Sequence, residues 1–327
     1  MYTELQGLEE SMNELVSILI PVYNREGIIA ATLDSALAQS YLNTEIIVVD
    51  NASTDRTWII IQEYAEKNSR IKIFRNESNL GPVRNWLRCI DNATGYYAKI
   101  LWSDDLIAPD FLEKTLPLFE SDVGFVYSGV KIFTDVPENG NSCYFIGKTD
   151  HYDSEEYISR ALFDKNVPVS PGCAIFRLSD LKKNLLLNVP NKIGSDFSMH
   201  AIGGDLLIFL LISLNYRRFG FVSEPLSFFR AHEGSISIAS KDGKLPLHYL
   251  LAKSHFVDSH SQQYREKLAA FANFLLMKYP SHRNYGIESI DSLFQTTVKI
   301  DRIFLMRLIL TDMLLRPIRL TKKLLGR

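Results

Sequence analysis

The sequence predicts an α/β protein with a doubly wound, mostly parallel sheet. Three observations carry that expectation. Short apolar runs rich in β-formers alternate with segments whose apolar residues recur at helical spacing, the pattern of βα units. The runs are continuously apolar rather than alternating, as strands covered on both faces are. At 327 residues and 46% apolar content, the chain has material for a sizeable core and one large or two modest domains.

Taken in order, residues 16–21 (Val-Ser-Ile-Leu-Ile-Pro) read as a buried strand that proline stops. Asn24 is placed to cap the following helix, whose apolar positions are Ile28, Ile29, Leu33, Ala36 and Leu37. Residues 45–50 form a second strand ending in Asp50, and Ser53 or Asp55 starts a helix through Trp58, Ile59, Ile61 and Tyr64. Residues 71–74 are a third strand, 83–90 a helix and 96–102 a fourth strand, with the alternation continuing over 109–119 and 123–130. From 131 to 168 the chain reads as polar loop with one short helix near 155–163; a strand resumes at 174–176. Asp205 opens an apolar helix over 206–214, 219–229 is a β segment, and the chain is helical after Ser240. The expected division is an α/β domain over 1–239 and a helical extension over 240–327, with no internal repeat and no low-complexity linker.

The net charge of −2 conceals an asymmetry: 15 Lys+Arg stand against 7 Asp+Glu from Ser240 onward, and 21 against 31 before it. An acidic body with a basic tail argues against nucleic acid as a partner and for a tail that touches something anionic. Cys89, Cys143 and Cys173 have no metal or redox spacing, and their odd number fits a reducing compartment rather than a disulfide framework. The N-terminus has no signal-peptide pattern and no apolar run reaches spanning length, so a cytoplasmic location is expected.

Asp104 and Asp105 end the fourth apolar run. Two carboxylates at the carboxyl edge of a sheet are suited to a hard divalent cation that also grips phosphate, because such a cation takes only one or two protein carboxylates. Further polar groups stand at strand ends or helix starts: residues 50–55 (Asp-Asn-Ala-Ser-Thr-Asp), Gly203-Gly204-Asp205, and residues 230–235 (Arg-Ala-His-Glu-Gly-Ser).

With these motifs the chain resembles the family 2 glycosyltransferases of the GT-A fold. The resemblance lies in SILIPVYNREGIIAATLDSALAQSYLNTEIIVVDNASTDRT and in NLGPVRNWLRCIDNATGYYAKILWSDDLIAPDFLEK, a variant of the DxD motif, and covers roughly residues 16–237. It implies an inverting, metal-dependent transfer of sugar from a nucleoside diphosphate donor, UDP- or dTDP-linked, to a saccharide or lipid-linked saccharide hydroxyl in surface-glycan synthesis. Asp105, with Asp104 nearer the ribose, would hold Mg²⁺ or Mn²⁺, and His232 would be a third ligand or contact the diphosphate. Pro21, Tyr23, Asp50 and Asn51 would surround the base, with Asn51 standing where the family more often has Asp. An amide can both donate to and accept from a pyrimidine edge, so base binding is expected to survive. Arg84 and Arg230 would meet base or phosphate, and Asp205 would be the general base, with Asp196 as the alternative. Asp55 is expected only to cap a helix; Ser235 and Ser237 lie where a loop could close over the donor, without a catalytic part.

Two other classes compete. A sugar nucleotidyltransferase would carry a Gly-rich phosphate loop after the first strand, and residues 21–26 (Pro-Val-Tyr-Asn-Arg-Glu) are not one. A non-catalytic carbohydrate-binding protein would not need Asp105 and Asp205 together. The tail over 302–327 mixes large apolar residues with cations, which suits either peripheral membrane contact or packing on protein, including a homo-oligomer partner.

Overall fold

The structure, a computed structural model, describes residues 14–235, 238, 240 and 242–324, with 316–324 as backbone only. It divides into two compact units: Met1–Asn188 with Asp196–Ile238, and Val189–Ser195 with Ala239–Arg327.

The first unit is built on one mixed sheet. Its strands are β1 (Val16–Val22), β2 (Thr44–Asp50), β3 (Ile71–Arg75), β4 (Tyr97–Ile100), β5 (Leu106–Ile107), β6 (Val123–Phe133), β7 (Asn141–Cys143), β8 (Asp150–Asp153), β9 (Ala174–Arg177) and β10 (Arg218–Arg230). They lie in the order β3-β2-β1-β4-β9-β6-β10-β5, with β7 on β6 and β8 on β10. The first four strands are parallel, as expected of strands joined through helices. β9 enters antiparallel between β4 and β6, while β6 and β10 run parallel to one another. The α/β class with parallel strands therefore describes the half built from β1 to β4, and β9 joins it to a second half that the run pattern did not resolve. The helix expected over 109–119 is a short helix, Phe111–Thr115, continued by a 3₁₀ turn.

β1, β2 and β4 are buried along their whole length, which explains their unbroken apolar runs. Proline does not stop β1: the strand runs on through Pro21 to Val22 in register with Val49 and Asp50. The residue is tolerated because the β4 ladder has already ended at Leu19↔Ile100, so no neighbour on that side needs its missing N–H. All residues of the helix Gly204–Ser213 except Asp205 are buried, and Phe209 packs among Phe125, Phe176 and Tyr157. This fixes the start of that helix, where Asp205 stands.

The second unit is helical, with long helices at Lys244–His260, Arg265–Lys278 and Arg302–Leu324. Among the described residues, no helix is long and apolar enough to cross a membrane.

Candidate active site

The loops after β1 and β2 are stitched together by side chains. Asn24, at φ 49°, does not cap the helix Ile29–Leu37, which starts without a side-chain cap. Its carboxamide oxygen instead accepts the N–H of Thr54 at 2.9 Å. The N–H groups of Asn24, Arg25 and Glu26 go to Ser53 Oγ (2.9 Å), Thr57 Oγ1 (2.7 Å) and Asp55 Oδ2 (3.1 Å). With those donors engaged, the first loop is no cradle of backbone N–H groups for phosphate, unlike a nucleotidyltransferase loop. Tyr23 stands on this rim with 39% of its surface exposed, whereas Pro21 is buried in the strand.

Asp50 and Asn51 are held inside. Asp50 is fully buried, accepts the N–H and hydroxyl of Ser53, and pairs with Arg75 Nε at 3.1 Å. The amide of Asn51 donates to Asn79 Oδ1 (2.9 Å) and to the Gly81 carbonyl (3.3 Å). Its oxygen accepts from Asn76 Nδ2 and from the Leu80 N–H, both at 2.9 Å. Four internal bonds take up the ordinary capacity of that side chain, so the amide expected to pair with a base braces the loop over residues 76–81. Asn85 extends the network, accepting from Asn76 and donating to the Val49 carbonyl. Gly81 has φ 83°, and a Cβ there would lie 2.7 Å from Met199 Sδ, so both its conformation and its packing call for glycine.

Asp104 and Asp105 occupy the turn between β4 and β5, closed by the Asp105 N–H to the Trp102 carbonyl at 3.0 Å. Asp105 is 5% exposed, and its Oδ1 accepts the backbone N–H of Arg230 from the end of β10 at 2.8 Å. Burial foremost, with the neighbouring Asp104 charge adding to it, raises the Asp105 carboxyl well above the ordinary carboxylate range. Asp104 is more open: its Oδ2 lies 2.9 Å from His232 Nε2 and 3.6 Å from Arg25 Nη2. The Arg230 side chain donates to the Asp104 carbonyl at 3.1 Å and lies over the Phe133 ring. The structure thus brings together Asp104, Asp105, Arg230 and His232 from two distant segments, and adds Arg25 from the end of β1.

His232 has a defined orientation. Its Nδ1 accepts the Gly234 N–H at 3.1 Å, so in the neutral ring the proton resides on Nε2, which donates to Asp104. A histidine that binds a metal through Nε2 instead presents a lone pair there and carries its proton on Nδ1. The expected third ligand is therefore arranged here as a donor that orients Asp104. Among the described residues, no three His, Cys, Asp or Glu side chains converge as a ready metal cluster. The donor chemistry nevertheless fits Mg²⁺ or Mn²⁺, which accept one or two carboxylates and complete their shell with water and substrate phosphate.

Beneath the pair lies Lys99, fully buried on β4. Its ammonium donates to the carbonyls of Ile100 (3.0 Å) and Gly172 and sits 4.7 Å from the Phe111 ring centroid. Burial lowers it to about 8, opposed by the nearby Cys173 and Asp105.

Two expected residues stand in other contacts. Arg84 donates to Ser198 Oγ at 2.6 Å, beside Met199. Asp196 accepts from the Ser198 hydroxyl (2.6 Å) and N–H (3.0 Å) to cap the short helix Phe197–His200. The Ser198 hydroxyl first of all, against a small cost of burial, holds Asp196 below the ordinary carboxylate range, which makes it a weak base. Asp205 Oδ1 accepts the N–H groups of Gly203 and Leu206, each at 2.9 Å, which fixes the half-buried carboxylate on the first turn of a rigid helix. Ser235 donates its hydroxyl to the His232 carbonyl at 2.9 Å, and Ser237 lies outside the described residues.

Sequence reasoning missed Arg25, Lys99 and the asparagines at 76, 79 and 85. The last carried a usable signal, since asparagines recur around Gly81 between a strand and a helix.

Comparison with known proteins agrees with this architecture. The family model described as Glycosyl transferase family 2 matches residues 17–185. An Escherichia coli protein, "UDP-Glc:alpha-D-GlcNAc-diphosphoundecaprenol beta-1,3-glucosyltransferase WfaP", is 39% identical over 123 residues, 37% of this chain and 48% of that protein. The chain spans about half the length of the curated relatives it matches first. Among solved structures, S. aureus TarS 1–349 in complex with UDP-GlcNAc shares the fold at TM-score 0.59 and 21% identity, covering 84% of this chain and 75% of that one. The mannosyltransferase PcManGT from Pyrobaculum calidifontis, in complex with GDP-Man and Mn²⁺, aligns at TM-score 0.53 and 15% identity over 98% and 91% of the two chains. The match over half of its length shows that the chain belongs to glycosyl transferase family 2.

Proposed function

We propose that the protein is an inverting glycosyltransferase that moves a sugar from a nucleoside diphosphate donor, UDP- or dTDP-linked, to the hydroxyl of a saccharide or lipid-linked saccharide. The observation that carries this reading is the meeting of Asp104, Asp105, Arg230, His232 and Arg25 at the carboxyl edge of the sheet. Such an edge is where open α/β sheets take nucleotides. The named substrates of relatives such as WfaP, a UDP-linked glucose and a diphosphoundecaprenol-linked sugar, support the donor and acceptor classes.

In this reading Asp104 and Asp105 hold Mg²⁺ or Mn²⁺, which supplies Lewis-acid stabilisation to the departing diphosphate. His232 holds the Asp104 carboxylate in place. Arg25 and Arg230 bring positive charge to the same edge, where the diphosphate gains negative charge as it leaves. Tyr23 offers an exposed ring on which the base can stack. Asp50 and Asn51 act indirectly, keeping the β2 edge and residues 76–81 in shape around the base. Arg84 lies on the Ser198 side of the site, where it can steer the donor or the acceptor. A carboxylate oxygen of Asp205 takes the proton of the acceptor hydroxyl as that oxygen attacks the anomeric carbon. The C1–O bond to the diphosphate breaks on the opposite face, and the configuration inverts.

A thermal-shift screen of UDP-, dTDP- and GDP-sugars with Mn²⁺ tests the reading. A donor at about 100 times its Kd stabilises the folded state by about 2.7 kcal/mol. The expected result is a rise in Tm with a uridine or thymidine donor that EDTA abolishes. No shift with any nucleotide sugar would refute it.

A further inference from the structure

Over residues 302–315 the helix Arg302–Leu324 carries two apolar faces, and only one of them is covered among the described residues. Phe304, Leu305, Leu308, Ile309 and Asp312 recur at i, i+1, i+4, i+5 and i+8, and are buried or half-buried where the helix packs along Arg265–Lys278. On the opposite side, Ile303, Met306, Leu310, Met313 and Leu314 are 56–75% exposed. At 3.6 residues per turn these five fall within an arc of about 100°, with Arg302 and Arg307 at its two edges. Exposed large apolar residues this dense on one helix mark a contact surface rather than ordinary scatter.

The charges around the stripe select its occupant. Residues 302–327 contain 7 Lys+Arg and a single acidic residue, Asp312, which is buried. A second copy of the helix, packed stripe to stripe, would bring the flanking arginines of both copies together, a like-charge clash with no acidic residue on that face to answer it. An anionic bilayer surface accepts both features: the stripe enters the headgroup–acyl boundary while the cations meet lipid phosphates. We propose that this face of Arg302–Leu324 docks on anionic phospholipid membrane, lying in its plane rather than spanning it. The proposal is independent of the transfer chemistry.

The full chain is tested by co-sedimentation with phosphatidylcholine vesicles with and without 30% phosphatidylglycerol, at low and high salt, beside sedimentation velocity without lipid. Leu310→Glu/Leu314→Glu alters only exposed positions, and unchanged thermal unfolding checks that the variant is folded. The expected result is binding to the anionic vesicles, weakened by salt and by omission of phosphatidylglycerol, and about tenfold weaker in the double variant. Arg302→Ala/Arg307→Ala is expected to weaken it by about tenfold or more, from loss of cation–lipid attraction. Absence of binding, binding indifferent to both variants, or a dimer that Leu310→Glu/Leu314→Glu dissolves would each overturn the proposal. The last would assign the stripe to a second copy.

Discussion

His232 Nε2 lies 2.9 Å from Oδ2 of Asp104, while its Nδ1 accepts the Gly234 N–H, so the ring is set as a donor to the carboxylate. An imidazole in that tautomer fixes Asp104 through one hydrogen bond. Glutamine can present an N–H at a similar reach, whereas alanine cannot. His232→Gln is therefore expected to retain within about tenfold of the wild-type kcat/KM, and His232→Ala to lose about a hundredfold, a span of a few kcal/mol. Titration of Mn²⁺ against activity separates orientation from ligation. Glutamine rescue with little change in apparent metal affinity supports orientation; equal loss in both variants with weakened metal affinity supports ligation.

Arg25 approaches Asp104 at 3.6 Å, while its own-loop bonds go to the carbonyls of Tyr23 and Asn24. These local bonds leave the cation little structural work. Arg25→Ala is expected to raise the donor KM by about tenfold, with stability changed by no more than about 1 kcal/mol. Steady-state kinetics with thermal unfolding on the same variant checks both halves.

Asn51 divides its bracing between two donated and two accepted bonds. Asn51→Asp keeps the shape but turns both donors into acceptors, setting a carboxylate against Asn79 Oδ1 and the Gly81 carbonyl. The expected cost is about 2–4 kcal/mol, measurable by urea unfolding, because buried acceptors lose their partners and face a charge. A variant as stable as the wild type with altered nucleotide preference would favour direct base contact instead.

Glu45 gives the fold a pH dependence. Burial raises its carboxyl, but Lys72, Ser17 and Thr94 bond the anion and bring it down to about 2 from an ordinary 4.5. The folded value lies below the unfolded one, so the unfolded chain binds the extra proton and stability is lost as pH falls from about 4.5 toward 2. The shift corresponds to roughly 3 kcal/mol at neutral pH. Glu45→Gln is expected to flatten this part of a stability–pH profile; an unchanged slope would show that other groups carry it.

The sheet edge was legible because burial imposes its own grammar. Continuous apolar runs, one ending in Asp50 and the other stopping shortly before Asp104, mark strands covered on both faces, and their ends mark the edge. Strand direction leaves no such trace, so the antiparallel entry of β9 was invisible, as were β5, β7 and β8 with only two to four residues each. Site residues divided along similar lines. Asp104, Asp105, Arg230 and His232 could be named from strand ends, but whether a polar atom faces ligand or protein depends on neighbours far along the chain. Asn51 illustrates this, since its partners at 76–81 appear only once β2 and the loop after β3 are side by side. Arg25 was missed because one cation in a loop looks solvated until the fold sets Asp104 beside it.

Asp205→Asn is the most direct test of the transfer mechanism. The amide oxygen can still accept the N–H groups of Gly203 and Leu206, so the helix start is kept while the proton acceptor is removed. Calorimetric donor affinity is expected to stay within about threefold of wild type, while transfer falls by about 10²–10⁴, the range for loss of general-base catalysis. Transfer within tenfold of wild type, in a variant that binds donor normally, would contradict Asp205 as the base.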